Sequence, residues 1–497
     1  MNQVSAESGL MHRVNSVSSF TQRLSRVPLT ALGFAVLALS CPAQQHALRA
    51  GAAKADITPA TPAGMQGPTG KYENEHIYAR AIVLDNGAAR AALIGLDQSN
   101  IPEETWKDAS ARIAKDLDCP VANIIMSATH THSPGEADIT APTPAGATLN
   151  PSEQRVADGM VNAVHQAKGK LQLAQMVFGR GEIDLNSNRD AINPVTHLWT
   201  QAPNTSAPSD KTVAVLAFET LEGIPIGVYA NYPMHAINGY LTNFTSGDFP
   251  GAMSRWVEGA YGDKAVAIFT QGASGDQNPL YLRPSTNGMA SRTGVAITGN
   301  EMVRENVEEP LRDGKVKPQP ISDEARDRLQ QWMQAEGLVL GEVVIRAITH
   351  GTKPERDVRI EGKQEEITCP GRVRTDPGAH VSSGPTPYVI GVAGTYADGP
   401  AIPIRIGVLG IGDVALASVN AEIYTLIGQR IRMQSPMANT MVVTIANGRA
   451  PSGYIPDDTS FSHNTFQVLA SHLKVGCAES SIADGLTDLI IQYESKK

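Results

Sequence analysis

The succession of apolar periods along the chain predicts an α+β or mixed α/β fold, in which layered β-sheets carry flanking helices. Three observations carry that prediction. Short apolar runs of strand length recur, several are joined by tight-turn sequences, and stretches of helical apolar spacing lie between them. Residues 79–84 and 91–96 flank Asp85-Asn86-Gly87, a hairpin turn signal, so two paired strands are expected there. Residues 103–117 have helical spacing, and 120–129 return to a buried strand that ends in Thr129-His130-Thr131-His132. A second amphipathic helix is expected over 152–169. Residues 213–219 and 224–230 pair around Glu222-Gly223. The strand 265–271 runs into the small-residue loop Gly272-Ala273-Ser274-Gly275-Asp276-Gln277-Asn278-Pro279, which lets backbone approach whatever it surrounds. Helices are expected around 301–308 and 323–335. The polar, Pro/Gly-rich stretch 362–387 reads as a long insertion or surface loop. Residues 404–418, broken at Gly410-Ile411-Gly412-Asp413, read as a hairpin, and Glu422 is expected to open a helix through Met433. A last strand over 441–446 and a helix over 480–493 close the chain. No internal repeat stands out.

A length of 497 residues gives ample core without covalent staples. With 18% charged and 41% apolar residues the balance is that of a soluble globular protein. A formal net charge of -9 argues against a nucleic-acid partner, which would be held by Lys and Arg neutralising phosphates. Residues 1–43 read as a signal peptide: Arg13, Arg23 and Arg26 precede an apolar run over 27–39, followed by Ser40-Cys41-Pro42-Ala43. The run is short for a bilayer span, so export to the periplasm or extracellular space is expected, with cleavage near Ala43. A lipid anchor on Cys41 is the rival, weakened by Ala38 where a bulky aliphatic residue is usual. The remainder, 47–497, is expected to form a single domain. Its cysteines, Cys119, Cys369 and Cys477, allow at most one disulfide and leave one thiol over. They do not have the paired spacing of a structural zinc site, so a metal would be held by His, carboxylate or phenolate groups.

His130 and His132 stand two apart on extended backbone, so both imidazoles can project to one side. Three further segments place chemistry at element ends: His235 in Asn231-Tyr232-Pro233-Met234-His235-Ala236, Glu422 in Asn420-Ala421-Glu422, and Tyr454 in Gly453-Tyr454-Ile455-Pro456. Taken singly, each has a structural reading: a satisfied core histidine, a helix N-terminal carboxylate, a packed aromatic. Asp97, Asp248 and Asp276 are candidates to orient the histidines, or to cap turns. No G-x-S-x-G sequence supports a serine triad.

Five segments in order resemble the neutral/alkaline, non-lysosomal ceramidase family. They are Gly51-Ala52-Ala53-Lys54-Ala55-Asp56-Ile57-Thr58-Pro59, Ala128-Thr129-His130-Thr131-His132-Ser133, Asn188-Arg189, the Gly275-Asp276 loop, and 407–422 leading to Tyr454. The resemblance implies a catalytic domain of that family without its additional C-terminal β-sandwich. By resemblance, His130, His235, Glu422 and Tyr454 would bind one Zn²⁺, while His132 and Arg189 would stabilise charge on the attacked carbonyl oxygen. The implied activity is hydrolysis of an amide-like bond by activated water, with Asp276 and Asn278 in the catalytic loop. Two departures stand out. Asn278 occupies the place of a serine in the family's motif, and an amide cannot serve as a nucleophile; Ser274, four positions earlier, is a candidate substitute or a small residue for a tight loop. Arg449 stands where the family tends to have tyrosine. The substrate is therefore expected to be a small molecule, lipid or glycoconjugate, with any membrane contact made through substrate alone. The alternatives are an ester or glycoside bond with Asp276 as general acid or base, or a binding protein without catalysis.

Overall fold

The computed structural model describes residues 47–61, 66–135, 142–294, 316–317, 319–376 and 390–496. The expected signal segment with Cys41 and the expected helix at 301–308 lie outside those residues. In the first sheet, β1 (Arg49–Asp56), β2 (Tyr78–Asp85) and β3 (Arg90–Leu96) are antiparallel neighbours; α1 (Glu103–Leu117) follows, and β4 (Ile124–Ala128) returns parallel to β3. Then come α2 (Pro151–Lys168) and the edge strand β5 (Gln172–Leu173) beside β1. The second sheet begins with β6 (Gln175–Glu182), is interrupted by a small sheet containing β7 (Asn186–Ile192) and β8 (Trp199–Asn204), and resumes with β9 (Thr212–Glu219) and β10 (Pro225–Tyr232). After α3 (Asp248–Ala260), β11 (Val266–Gln271) lies parallel to β10, and β12 (Gln277–Pro279) joins β7. Helices α4 (Arg283–Thr293) and α5 (Asp323–Thr349) lead to the third sheet: β13 (Ile360–Arg374), β14 (Tyr396–Ile411) and β15 (Val414–Val419) are antiparallel. The two-residue β16 (Glu422–Ile423) precedes α6 (Thr425–Gln434), and β17 (Asn439–Val443) returns parallel to β15. β18 (Tyr454–Ile455) pairs with β16, and the short α7 (Phe466–Leu469) and α8 (Ala478–Glu494) complete the order.

The three large sheets thus repeat one construction: an antiparallel pair, a helix, and a strand parallel to the second of the pair. Their inner faces meet in one core, with Leu84, Leu93 and Ile125 from the first, Leu216, Tyr229 and Ile268 from the second, and Leu409, Leu416 and Val443 from the third. Helices cover each outer face. Ile113 and Met160 pack on the first, Met253 and Leu340 on the second, and Ile427 and Leu486 on the third. Burial on both sides explains why these strands read as unbroken apolar runs without alternation. Each Leu or Ile so buried contributes about 1.5–3 kcal/mol.

This repeat brings the C-terminal ends of six strands together. Thr129 N–H donates to Leu96 O (2.7 Å), Thr444 N–H to Gln271 O (2.9 Å), and Ala446 N–H to Val419 O (3.1 Å). The buried Gln271 amide donates to Thr129 O (2.9 Å) and Met234 O (2.7 Å), tying the first and second sheets. Carboxyl ends of strands in α/β sheets are where ligands settle.

Several expectations need correction. The stretch 362–374, read as loop, belongs to β13; it pairs with β14 as a ribbon whose middle buries little beyond Cys369 and Gly371, so no apolar period marks it. Glu422 does not open a helix. It pairs with Tyr454 in β16, and α6 starts at Thr425. Helix α5 runs on to Thr349, well past 335, because its face against α3 continues through Leu340, Val344 and Ile348. The cysteine arithmetic holds: Cys369 and Cys477 form the disulfide, and Cys119 is the thiol left over.

Candidate metal centre

His130 leaves the end of β4 with φ +64°, a left-handed backbone that costs a histidine roughly 1 kcal/mol or more and persists only because its surroundings hold it. Its N–H donates to Gln98 O (2.9 Å) and its Nδ1 meets Ser99 O at 2.5 Å. A carbonyl only accepts, so Nδ1 carries the proton and Nε2 presents a lone pair. His235 follows β10 and repeats the device from another sheet: its backbone N–H and its Nδ1–H both donate to Gln277 O, at 3.1 and 3.0 Å. Burial above all, and then the charge of Arg189, lowers His235 to about 3, which keeps the ring neutral.

Glu422 completes the centre. Its Oε2 lies 3.1 Å from His130 Nε2 and 3.2 Å from His235 Nε2, yet it has no hydrogen-bond partner in proper geometry. Burial alone would raise this carboxyl, but the two imidazoles hold it well below the ordinary range. For His130, burial works downward and Glu422 more than reverses it. Two imidazole Nε2 atoms and a carboxylate oxygen thus converge on one small space, a donor set that suits a metal cation.

His132 closes the cluster on its open side. The ligand atoms of His130, His132 and His235 all lie within 4.8 Å of one another, and His132 Nε2 is 3.3 Å from His130 Nε2. Burial, and then the neighbouring imidazoles, depress its pKa well below the usual value. Its ring meets Tyr240 edge-on at 5.4 Å. Tyr454 is brought in by strand register, since β18 pairs Tyr454 with Glu422; its hydroxyl lies 3.4 Å from His235 Nε2. His130, His132 and His235 therefore form a cluster able to hold a metal ion, and Glu422 and Tyr454 reach the same space.

Arg189, Asp276 and Asn278 form a layer behind. Arg189 Nη1 donates to Asn278 Oδ1 (3.1 Å), Nη2 donates to Gly275 O, and the guanidinium lies 5.3 Å from the Tyr454 ring and 5.8 Å from that of Phe466. The register of β7 and β12 sets this up by pairing Ser187 with Asn278. Asp276 accepts from Thr425 N–H (2.9 Å) and Oγ1 (2.8 Å) with one oxygen, and from Asn188 Nδ2 (2.7 Å) with the other. Both oxygens are engaged away from the imidazoles, so Asp276 caps α6. Burial pushes it up to about 7 even though Thr425 pulls the other way. Gly275 docks this loop on the segment carrying Glu422: its N–H donates to Ile423 O (2.9 Å), and a Cβ there would stand 2.9 Å from that same oxygen.

The aspartates considered as orienting groups do not perform that task here. Asp97 binds Arg80 (2.7 Å) and Tyr78 N–H (3.0 Å), and Asp248 binds Asn238 (2.9 Å). The carbonyls of Ser99 and Gln277 orient the histidines, and any residue type could have supplied them. Ser274 is buried, its Oγ has no hydrogen-bond partner among the described residues, and it is not among the described lining residues of either cavity at the centre. Two cavities meet at the centre, of 730 Å³ and 620 Å³, and His130 and His132 line the larger. Asn100, Glu422, Arg449 and Tyr454 line both.

A mixed α/β layered fold whose strand ends collect histidines around a carboxylate defines an α/β protein with a candidate metal site. More narrowly, the model of the neutral/alkaline non-lysosomal ceramidase N-terminal region matches residues 49–386, and the chain belongs to that family. It is 29% identical over 286 residues to the neutral ceramidase of Pseudomonas aeruginosa, a match covering 53% of this chain and 42% of that protein. The chain thus aligns with less than half the length of that curated relative. Two solved structures share the fold at 17% identity: one titled a ceramidase complexed with C2 (TM-score 0.63, 90% of this chain, 76% of that one) and the neutral ceramidase from Pseudomonas aeruginosa (TM-score 0.61, 90% and 75%).

Proposed function

We propose that this chain is an exported zinc-dependent hydrolase of an amide-like N-acyl bond, acting on a lipid or related small molecule. The observation that carries the reading is the meeting of His130 Nε2 and His235 Nε2 with Glu422 Oε2 at 3.1 and 3.2 Å. Nitrogen and carboxylate donors in that number suit catalytic zinc, with Tyr454 as the further oxygen ligand. Zinc held there supplies Lewis acidity and a nucleophile at neutral pH. His132, neutral and facing the larger cavity, would donate or accept a hydrogen bond at the reacting carbonyl. Arg189 would hold Tyr454 from behind, and Asp276 would keep the β12 loop against the segment bearing Glu422. Family membership supports hydrolysis, and the family's named activity makes ceramides the first substrates to try. Asn278 in place of a serine leaves activated water as the nucleophile. Export rests on the signal pattern of residues 1–43.

The test combines metal content with turnover. The purified protein should carry close to one zinc per chain and hydrolyse at least one member of a panel of ceramides and simpler N-acyl amides. Chelation should abolish turnover and added zinc restore it. Full activity in a metal-free preparation would end the proposal.

A further inference from the structure

The smaller cavity carries a charge pattern that the metal centre does not use. Its walls are largely apolar, with Val373, Ile402, Ile445 and Leu469 among them, and Glu422 is the sole carboxylate among its described lining residues. That carboxylate is turned to the histidines. The same walls hold three arginines. Arg374 is paired with Asp376. Arg372 is not: its Nε donates to Ser471 O (3.1 Å), Nη2 donates to Val468 O, and its guanidinium lies 3.9 Å from the Tyr396 ring. These contacts fix the side chain and, among the described residues, leave its Nη1 without a hydrogen-bond partner. Burial lowers its pKa only from a very high value, so the charge stays. Arg449 stands at the junction of both cavities, beside the metal centre. Among the described residues neither Arg372 nor Arg449 has a carboxylate at ion-pair distance, although the chain has 50 acidic against 41 basic residues. A fixed guanidinium on an apolar wall, uncompensated in an acidic protein, is a recognition element for an anion.

We infer that the smaller cavity binds the charged end of an anionic amphiphile, so that the preferred substrates carry a carboxylate or phosphate-type group on the portion extending from the metal centre past Arg449 toward Arg372. This rests on the hydrolase reading and narrows it: apolar carbon lies along Ile402, Ile445 and Leu469, and the anion is met by the two arginines. Arg449 and Arg372 are specificity residues in this account.

Matched substrate pairs test it on the zinc-loaded full chain. N-dodecanoylglycine against N-dodecanoylglycinamide places the charge on the amine side, and N-dodecylsuccinamate against N-dodecylsuccinamide places it on the acyl side. In one pair kcat/KM should favour the anion by about tenfold or more, and Arg449→Gln should bring that ratio near unity while Arg449→Lys keeps part of it. Arg372→Gln should lower the ratio as well, with circular dichroism reporting whether its fold persists. Calorimetric binding of dodecyl phosphate, which needs no turnover, should weaken by about tenfold in Arg449→Gln. Equal kcat/KM within both pairs, or dodecyl phosphate affinity unchanged in both arginine variants, would overturn the inference. If no amide is cleaved but dodecyl phosphate binding still depends on Arg449, the hydrolase reading fails and the anion site stands.

Discussion

Two adjoining layers of polar residues behave in opposite ways. In the front layer, His130, His235 and Glu422 point their acceptor atoms at one another, and Glu422 Oε2 is left without a donor. In the layer behind, Arg189, Asp276 and Asn278 are just as buried, but their donors and acceptors are matched: guanidinium to amide and carbonyl, carboxylate to a helix N-terminus. Buried polar groups are normally satisfied, so the matched layer is what a scaffold looks like and the unmatched one is what a ligand site looks like. Residues of both layers were equally attractive as sequence motifs. Hydrogen-bond satisfaction is what separates them.

That contrast predicts an order of effects. The largest belongs to the front layer: His235→Ala should remove bound metal and take turnover to the detection floor, with little change in melting temperature measured without metal. Retained zinc and activity would erase the distinction. Next is Asp276→Ala, which strips the cap from α6 and frees Asn188; it should cost about 1–3 kcal/mol by denaturant titration, with zinc stoichiometry preserved. A variant that loses zinc first would move Asp276 into the front layer. Asn278→Ser should be milder, because a hydroxyl can still accept from Arg189, and turnover should stay within roughly tenfold of the starting protein. An increase of several hundredfold would show that the serine chemistry suggested by the family motif is latent here.

The smallest effect concerns a third buried pair. Asn238 Nδ2 donates to both Asp248 (2.9 Å) and Glu336 (2.6 Å). Burial raises both carboxyls, and Asp248 lifts Glu336 further. A raised carboxyl keeps its proton to higher pH in the fold than in the unfolded chain, so its stabilisation is complete below the unfolded value and drains away as pH rises through the folded one. The melting temperature should therefore fall from the ordinary carboxyl range upward, and Glu336→Gln should flatten that slope by about 1–3 °C. An unchanged slope would show that the pair is not titrating.

Much of the fold was legible because strands buried on both faces leave unbroken apolar runs, as in β3, β10 and β15. β13 was not, since its exposed ribbon has no apolar side to announce it. β7 was missed for the opposite reason: Asn186, Ser187, Asn188 and Arg189 are all buried, but hydrogen bonding rather than apolarity keeps them there, and in sequence they look like loop. The threefold recurrence of pair, helix and parallel strand exists only as topology, with no shared residues to betray it. His130, His235, Glu422 and Tyr454, which the structure brings together, were each noticeable as strand-end residues and by resemblance. The carbonyls that aim the two imidazoles, and the separation of Asp276 from them, depend on register and carry no side-chain signature.

The most direct measurement is a crystal structure of the zinc-loaded protein with anomalous data collected across the zinc absorption edge. The account predicts one strong anomalous peak about 2.0–2.2 Å from His130 Nε2, His235 Nε2 and a Glu422 carboxylate oxygen. A peak elsewhere, or none there under zinc concentrations that support full activity, would contradict it.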